Sequence, residues 1–142
     1  EQLEHSTVTY SFVTATSPSN SSSSFRGAFR LRTILTEPRA TGTGSSTEPK
    51  EGAGAARVRR PAFLFIQGIP CASLDRPTAP EAVDTRLVHA MAEAGFVTLR
   101  VDKPGLGDSE GPPCGDIDFQ TELAGYRAAL AYLRSLPSVD PE

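Results

Sequence analysis

Apolar residues alternate with polar ones from Thr7 to Ala15, around Val8, Tyr10 and Phe12. A period of two over that length predicts a half-buried strand. Ser17 to Ser24 is a Ser/Pro/Asn tract, a composition of turns and loose loops. From Phe25 to Leu35, Phe29, Leu31 and Thr33 share one face, with Arg30 and Arg32 on the other. The two segments predict an antiparallel hairpin with a long connection, over residues 1–36. Glu37 to Ala56 is made mostly of Gly, Ser, Thr, Pro and Ala with a few charges, which cannot bury a core. Residues 37–60 are therefore expected to form a flexible low-complexity loop.

The pattern changes at Pro61. Ala62 to Ile66 is apolar without alternation, as in strands covered on both faces, and Phe96 to Asp102 is expected to be a second buried strand. Between them, Thr78-Ala79-Pro80-Glu81 has the form of a capping box with Pro near the first turn. Val83, Leu87, Met91 and Ala94, joined by Ala90, then recur at helical spacing until Gly95. Asp118 is placed to cap a second helix, whose stripe is Phe119, Leu123, Tyr126, Leu130 and Leu133. Gly125 weakens that helix by ~1 kcal/mol against Ala, and Pro137 ends it. The order is β-β-β-α-β-α, an α/β chain in which residues 61–142 form a βαβα unit with parallel strands. Both ends read as cut, so residues 1–142 are expected to be the N-terminal part of one domain, with another strand just beyond Glu142.

Charge narrows the partners. The chain has 142 residues, a net charge of −3 and a pI near 5.4, which gives no electrostatic case for nucleic acid or an anionic membrane surface. Arg57, Arg59 and Arg60 are a small basic cluster, suited to solvating the start of a strand. No apolar run, Ala62 to Ile66 included, is long enough to span a bilayer.

Two strand exits carry the candidate chemistry. The first is Gln67-Gly68-Ile69-Pro70; the second is Asp102-Lys103-Pro104-Gly105-Leu106-Gly107-Asp108-Ser109. Both leave the same edge of a βαβ unit, where α/β proteins keep their sites. The hairpin start, a Gln-Gly loop after the third strand and a D-x-x-G-x-G-x-S loop after the fourth resemble the N-terminal part of the α/β-hydrolase fold. More narrowly, the chain is similar to bacterial serine hydrolases of the esterase and acyl-peptidase-like group. The resemblance covers most of Thr7 to Glu142 outside the two polar loops.

That resemblance implies a partial α/β-hydrolase fold and cleavage of ester or amide bonds in a small-molecule ester or a peptide. It also implies an oxyanion-hole role for the loop Gln67, Gly68 and Ile69. Pro70 has no N–H, so the donor would be the backbone of Ile69. The loop holding Asp102, Gly105, Gly107, Asp108 and Ser109 would brace the nucleophile region. The nucleophile, acid and His would lie in the remainder of the same hydrolase chain. No cofactor and no metal are expected.

Gly107-Asp108-Ser109-Glu110-Gly111 matches G-x-S-x-G, yet Ser109 is a poor nucleophile candidate. A nucleophile elbow needs a strand directly before the Ser and a helix directly after it. Here Lys103 to Gly107 intervene before it, and Pro112-Pro113 cannot open a helix behind it. The two histidines, His5 and His89, both precede Ser109. Ser109 is expected to hold its loop by local hydrogen bonds. Gly105, Gly107 and Gly111 approach a dinucleotide fingerprint, which the same prolines disfavour. Two other classes stay open: a non-catalytic binding relative of the hydrolases and a nucleotide-binding α/β domain. Cys71 and Cys114 are the two cysteines. In the strand order that the resemblance implies they come within disulfide reach, the alternative being two free thiols. A bridge points to an exported or envelope protein, its absence to the cytoplasm.

Overall fold

The computed structural model describes residues 6–22, 25–39, 58–76 and 78–142. Its strands are β1 (Ser6–Thr16), β2 (Ala28–Pro38), β3 (Ala62–Phe65) and β4 (Val97–Val101). Its helices are α1 (Val83–Glu93), between β3 and β4, and α2 (Phe119–Ser135), after β4. The strands form one sheet in the order β1-β2-β4-β3.

The pairing directions overturn the expected parallel-stranded, partial α/β-hydrolase fold. β1 and β2 pair antiparallel, β2 and β4 pair antiparallel, and β3 and β4 pair parallel. The sheet is mixed and mostly antiparallel. Continuous burial along β4, all five residues of it, reports cover on both faces and says nothing of direction. A central strand of a mixed sheet between two helices meets that condition as well as a parallel one does. The N-terminal hairpin is present as expected, with β2 reaching Pro38 rather than stopping near Leu35. The rest of the expected flexible loop, residues 40–57, lies outside the described residues.

α2 covers the face carrying Val13, Phe29, Leu31, Leu99 and Val101, where the core sits. α1 lies against β1, β2 and β4 from the other side. β2 buries the expected Phe29, Leu31 and Thr33, whereas β1, α1 and α2 bury faces other than those their large apolar residues suggest. In β1, Val13 and Ala15 are buried, while Tyr10 and Phe12 face outward beneath arginines. Arg32 lies over the Tyr10 ring at 5.8 Å and Arg30 over Phe12 at 5.1 Å, so these aromatics have cationic partners instead of core.

In α1 the buried residues are Thr85, Val88 and Ala92, whereas Val83 and Leu87 are exposed. The capping box does not form: Ala82 occupies the N-cap without a side-chain bond, and residues 78–81 are spent in turns. α2 begins as expected, with the Asp118 carboxylate accepting from Thr121 N–H at 2.9 Å. Its buried ridge is Thr121, Gly125, Ala129 and Leu133, and Phe119 and Leu130 are exposed. Small residues win this face because they let the helix axis approach the sheet. A Cβ on Gly125 would stand 2.6 Å from Leu31 Cδ1. The same glycine that lowers helix propensity leaves room that a Cβ would take from the Leu31 side chain.

Beyond α2 the chain turns back beside β3, where Arg60 and Val139 form an isolated parallel bridge. Among the described residues no helix is long and apolar enough to cross a membrane.

Candidate active site

β3 ends at Phe65, and residues 66–76 run on without helix or strand. Gly68 is unconfined by packing: the nearest atom to a Cβ built on it is Pro70 Cδ at 3.8 Å. The loop is held instead by hydrogen bonds to its carbonyls. The Gln67 carbonyl accepts from the Tyr126 hydroxyl at 3.1 Å, and the Gly68 carbonyl accepts from Lys103 Nζ at 2.6 Å. Lys103 is almost fully buried, and its charge is balanced by Glu122 Oε1 at 2.8 Å. Glu122 also lies 3.1 Å from the Tyr126 hydroxyl, one helical turn away on α2. Burial first, then the charge of Glu122, raises the Tyr126 pKa, so the phenol stays protonated as a donor.

The Gln67 side chain closes the loop from within. Its Nε2 donates to the Ala72 carbonyl, and its Oε1 is buried without a partner among the described residues. Cys71, just past Pro70, is bonded to Cys114 with a Cα–Cα separation of 5.8 Å. The disulfide joins the exit loop of β3 to the segment after β4. It is the kind of bond that an exported protein can keep. Ile69 itself is 94% exposed, and no acceptor for its N–H lies among the described residues.

The loop after β4 is organised on the opposite face, around Arg32. Arg32 Nε donates to Asp102 Oδ2 at 2.9 Å, and Ser73 Oγ donates to Asp102 Oδ1 at 2.8 Å. Asp75 and Asp108 stand farther from the guanidinium, at 3.5 and 3.7 Å. Ser109 Oγ accepts from Arg32 N–H at 2.9 Å and donates to the Asp102 carbonyl at 3.3 Å. With its hydroxyl engaged twice and only 8% of its surface exposed, Ser109 closes the gap that the loop leaves beside β2. Glu110 resumes the pairing, its N–H donating to the Arg30 carbonyl at 2.7 Å. No helix springs from Ser109; the next helical turn is a three-residue one at Cys114–Asp116.

Gly105 is required here, since its φ is +70° and a Cβ would lie 2.5 Å from the Pro112 carbonyl. Gly107 also has a positive φ, and a Cβ there would lie 3.4 Å from Asp102 Oδ2. The expected site residues therefore divide into two groups. Gln67, Gly68 and Ile69 form one rim, while Asp102, Gly107, Asp108 and Ser109 cluster about Arg32. Lys103 joins the two by placing its backbone in the second and its amine under the first.

Lys103, Glu122 and Tyr126 are the functional candidates that sequence patterns miss. Tyr126 falls on the expected apolar stripe of α2, and its hydroxyl has no sequence signature. Glu122 and Tyr126 at i and i+4 are a weak signal of contact. Nothing in the local sequence reports that Lys103 turns inward. No three His, Cys, Asp or Glu side chains among the described residues could hold a metal ion.

The chain matches no protein-family model. It is 37% identical over 57 residues to the quorum-quenching protein AidA of Acinetobacter baumannii, covering 40% of this chain and 19% of that protein. It is 28% identical over 95 residues to the polyketide transferase claH of Penicillium crustosum, covering 64% of this chain and 27% of that protein. A thiohydrolase of Eupenicillium brefeldianum is 29% identical over 85 residues, covering 60% and 25%. The chain thus spans about a fifth to a quarter of the length of these curated relatives. Among solved structures, hypothetical protein PA2218 from Pseudomonas aeruginosa shares the fold with a TM-score of 0.52 at 21% identity. That match covers 94% of this chain and 32% of the other. A transferase and a thiohydrolase among the relatives connect the chain with enzymes.

Proposed function

We propose that these 142 residues are the N-terminal portion of a serine hydrolase that cleaves ester or amide bonds, with Ile69 N–H donating to the oxyanion. The nucleophile, acid and His come from chain outside this segment. The observation that carries the reading is the Gly68–Ile69 peptide. In a trans peptide the C=O and N–H point in opposite directions. With the Gly68 carbonyl drawn down onto Lys103, the Ile69 N–H is turned to the open rim. A preorganised donor of this kind is worth ~3 kcal/mol to a tetrahedral intermediate.

Two further observations support it. Packing does not explain Ile69, whose side chain stands in solvent. Ser109 is unsuited to attack, because its hydroxyl is committed to Arg32 N–H and the Asp102 carbonyl. The relative named a thiohydrolase is consistent with acyl chemistry and extends the substrate class to be tested to thioesters.

The test is hydrolysis of p-nitrophenyl esters, anilides and acyl thioesters by the full-length protein. Replacing Ile69 by its α-hydroxy acid removes the N–H and keeps the side chain, while making the Gly68 carbonyl a weaker ester acceptor, and kcat should fall by about 10²–10³ with KM little changed. The 142 residues alone should show no turnover. Turnover by that segment, abolished by Ser109→Ala, refutes the assignment, as does a full-length protein inert toward all three substrate classes.

A further inference from the structure

We infer that Lys103 is a positioning residue that aims and polarises the Ile69 N–H through the intervening Gly68 carbonyl. The inference rests on the oxyanion reading of Ile69 and adds the group that makes that donor effective. A surface lysine paired with glutamate contributes little. Lys103 is instead driven under the exit of β3, with 4% of its side chain exposed, and it reaches a backbone carbonyl at 2.6 Å. A buried ammonium is costly unless paired and fully hydrogen-bonded. Glu122 provides the pairing, and the Gly68 carbonyl receives the second bond.

The geometry singles out one peptide. No side chain crowds the Cβ position of Gly68, so its torsions are set by whatever holds the two peptide planes flanking it. Tyr126 holds the first plane by the Gln67 carbonyl and Lys103 holds the second by the Gly68 carbonyl. Both donors contact the same carboxylate, Glu122, so the two planes are referred to one point on α2. The Cys71–Cys114 bond fixes the far end of the loop.

The Lys103 bond also acts on the peptide electronically. A cation on a carbonyl oxygen makes a charge-assisted hydrogen bond and draws electron density out of the amide. The N–H of that same amide belongs to Ile69 and becomes a stronger donor. Tyr126, a neutral donor one peptide earlier, orients without this added pull.

The experiment compares Lys103→Met, Lys103→Arg and the charge-balanced pair Lys103→Met/Glu122→Gln in the full-length protein. The pair keeps the measurement possible if Lys103→Met alone leaves Glu122 unpaired and the protein unfolded. The expected result is a fall in kcat of about tenfold or more, with KM unchanged, for Met and for the pair. Arg should recover much of the loss, since it restores a cation at the carbonyl. Independently of turnover, the ¹H resonance of the Ile69 amide should move upfield in the Met-containing variants and return in Arg. Unchanged kcat in those variants, alongside a loss in the Ile69 α-hydroxy acid variant, overturns the role of Lys103 and leaves the proposed function standing. An Ile69 amide resonance unmoved by removal of the Lys103 charge overturns the inference whether or not the protein is a hydrolase.

Discussion

Asp102 is fully buried and meets the Arg32 guanidinium at 2.7 Å, across the junction of β4 and β2. The pair ties the first residue after β4 to the strand beside it and gathers Ser73 and Asp75 around the same guanidinium, while Ser109 accepts from the Arg32 backbone N–H. Asp102 also lies one residue before Lys103. The backbone that carries the amine toward Gly68 is thus anchored from the other face of the sheet.

Removing one partner of a buried pair strands the other charge. Asp102→Asn should therefore destabilise the chain by about 3 kcal/mol, the lower end of the usual cost because Asp75 remains near Arg32. Urea unfolding of the variant against the parent measures it. A loss below about 1 kcal/mol would place the pair among surface-like interactions.

Cys71 and Cys114 close a loop of 43 residues in sequence separation, which contains α1 and β4. A cross-link of that span restricts the unfolded chain by about 4 kcal/mol in the chain-entropy description. Reduction, or Cys71→Ser/Cys114→Ser, should lower the urea midpoint by a corresponding amount. Near-identical midpoints with and without dithiothreitol would contradict a bridge in solution.

Gly125→Ala sets helix propensity against packing. Alanine is better in a helix by ~1 kcal/mol, but its Cβ meets Leu31 Cδ1 in a filled core. Overpacking costs about 1–3 kcal/mol, so the substitution should lower the melting temperature despite the propensity gain. Leu31→Val removes the opposing methyl, and Gly125→Ala in that background should cost less. A double-mutant cycle with no coupling would count against the close approach.

Asp118 predicts a pH dependence. The Thr121 N–H holds its carboxylate well below the usual Asp range, against a smaller opposing effect of desolvation, and Ser22 adds further bonds. A depressed folded-state pKa means that the unfolded chain binds more protons as pH falls below about 3.9. The contribution is complete above that value and is lost as pH drops through the lower, folded-state one. Asp118→Asn keeps a capping side chain without the charge. Its melting temperature should lie below that of the parent at pH 7, with the gap narrowing toward pH 2. A constant gap across that range would exclude the carboxylate charge as the source.

Local chemistry was legible wherever one residue and its near neighbours suffice. Asp118 at the head of α2, the turn at Gly105, and the alternation of Phe29 and Leu31 against Arg30 and Arg32 are all visible in the chain itself. So is the unsuitability of Ser109 for an elbow, since Pro112 and Pro113 act within their own segment. The rim at Gly68 and Ile69 could be placed at a strand exit, but not its mode of support. Lys103 and Tyr126 belong to different elements, and a lysine after a strand carries no mark of whether it faces water or a carbonyl.

Periodicity in the chain determined that two strands lead and that two helices follow. Tertiary structure alone decided the direction of the β2–β4 pairing, because ladder hydrogen bonds are made by backbone common to every residue. It also chose the small-residue faces of α1 and α2 for burial, since depth of approach depends on what stands opposite: Leu31 for Gly125. And it turned Lys103 inward, because a buried ammonium is stable only where a carboxylate and a carbonyl from distant elements converge on it.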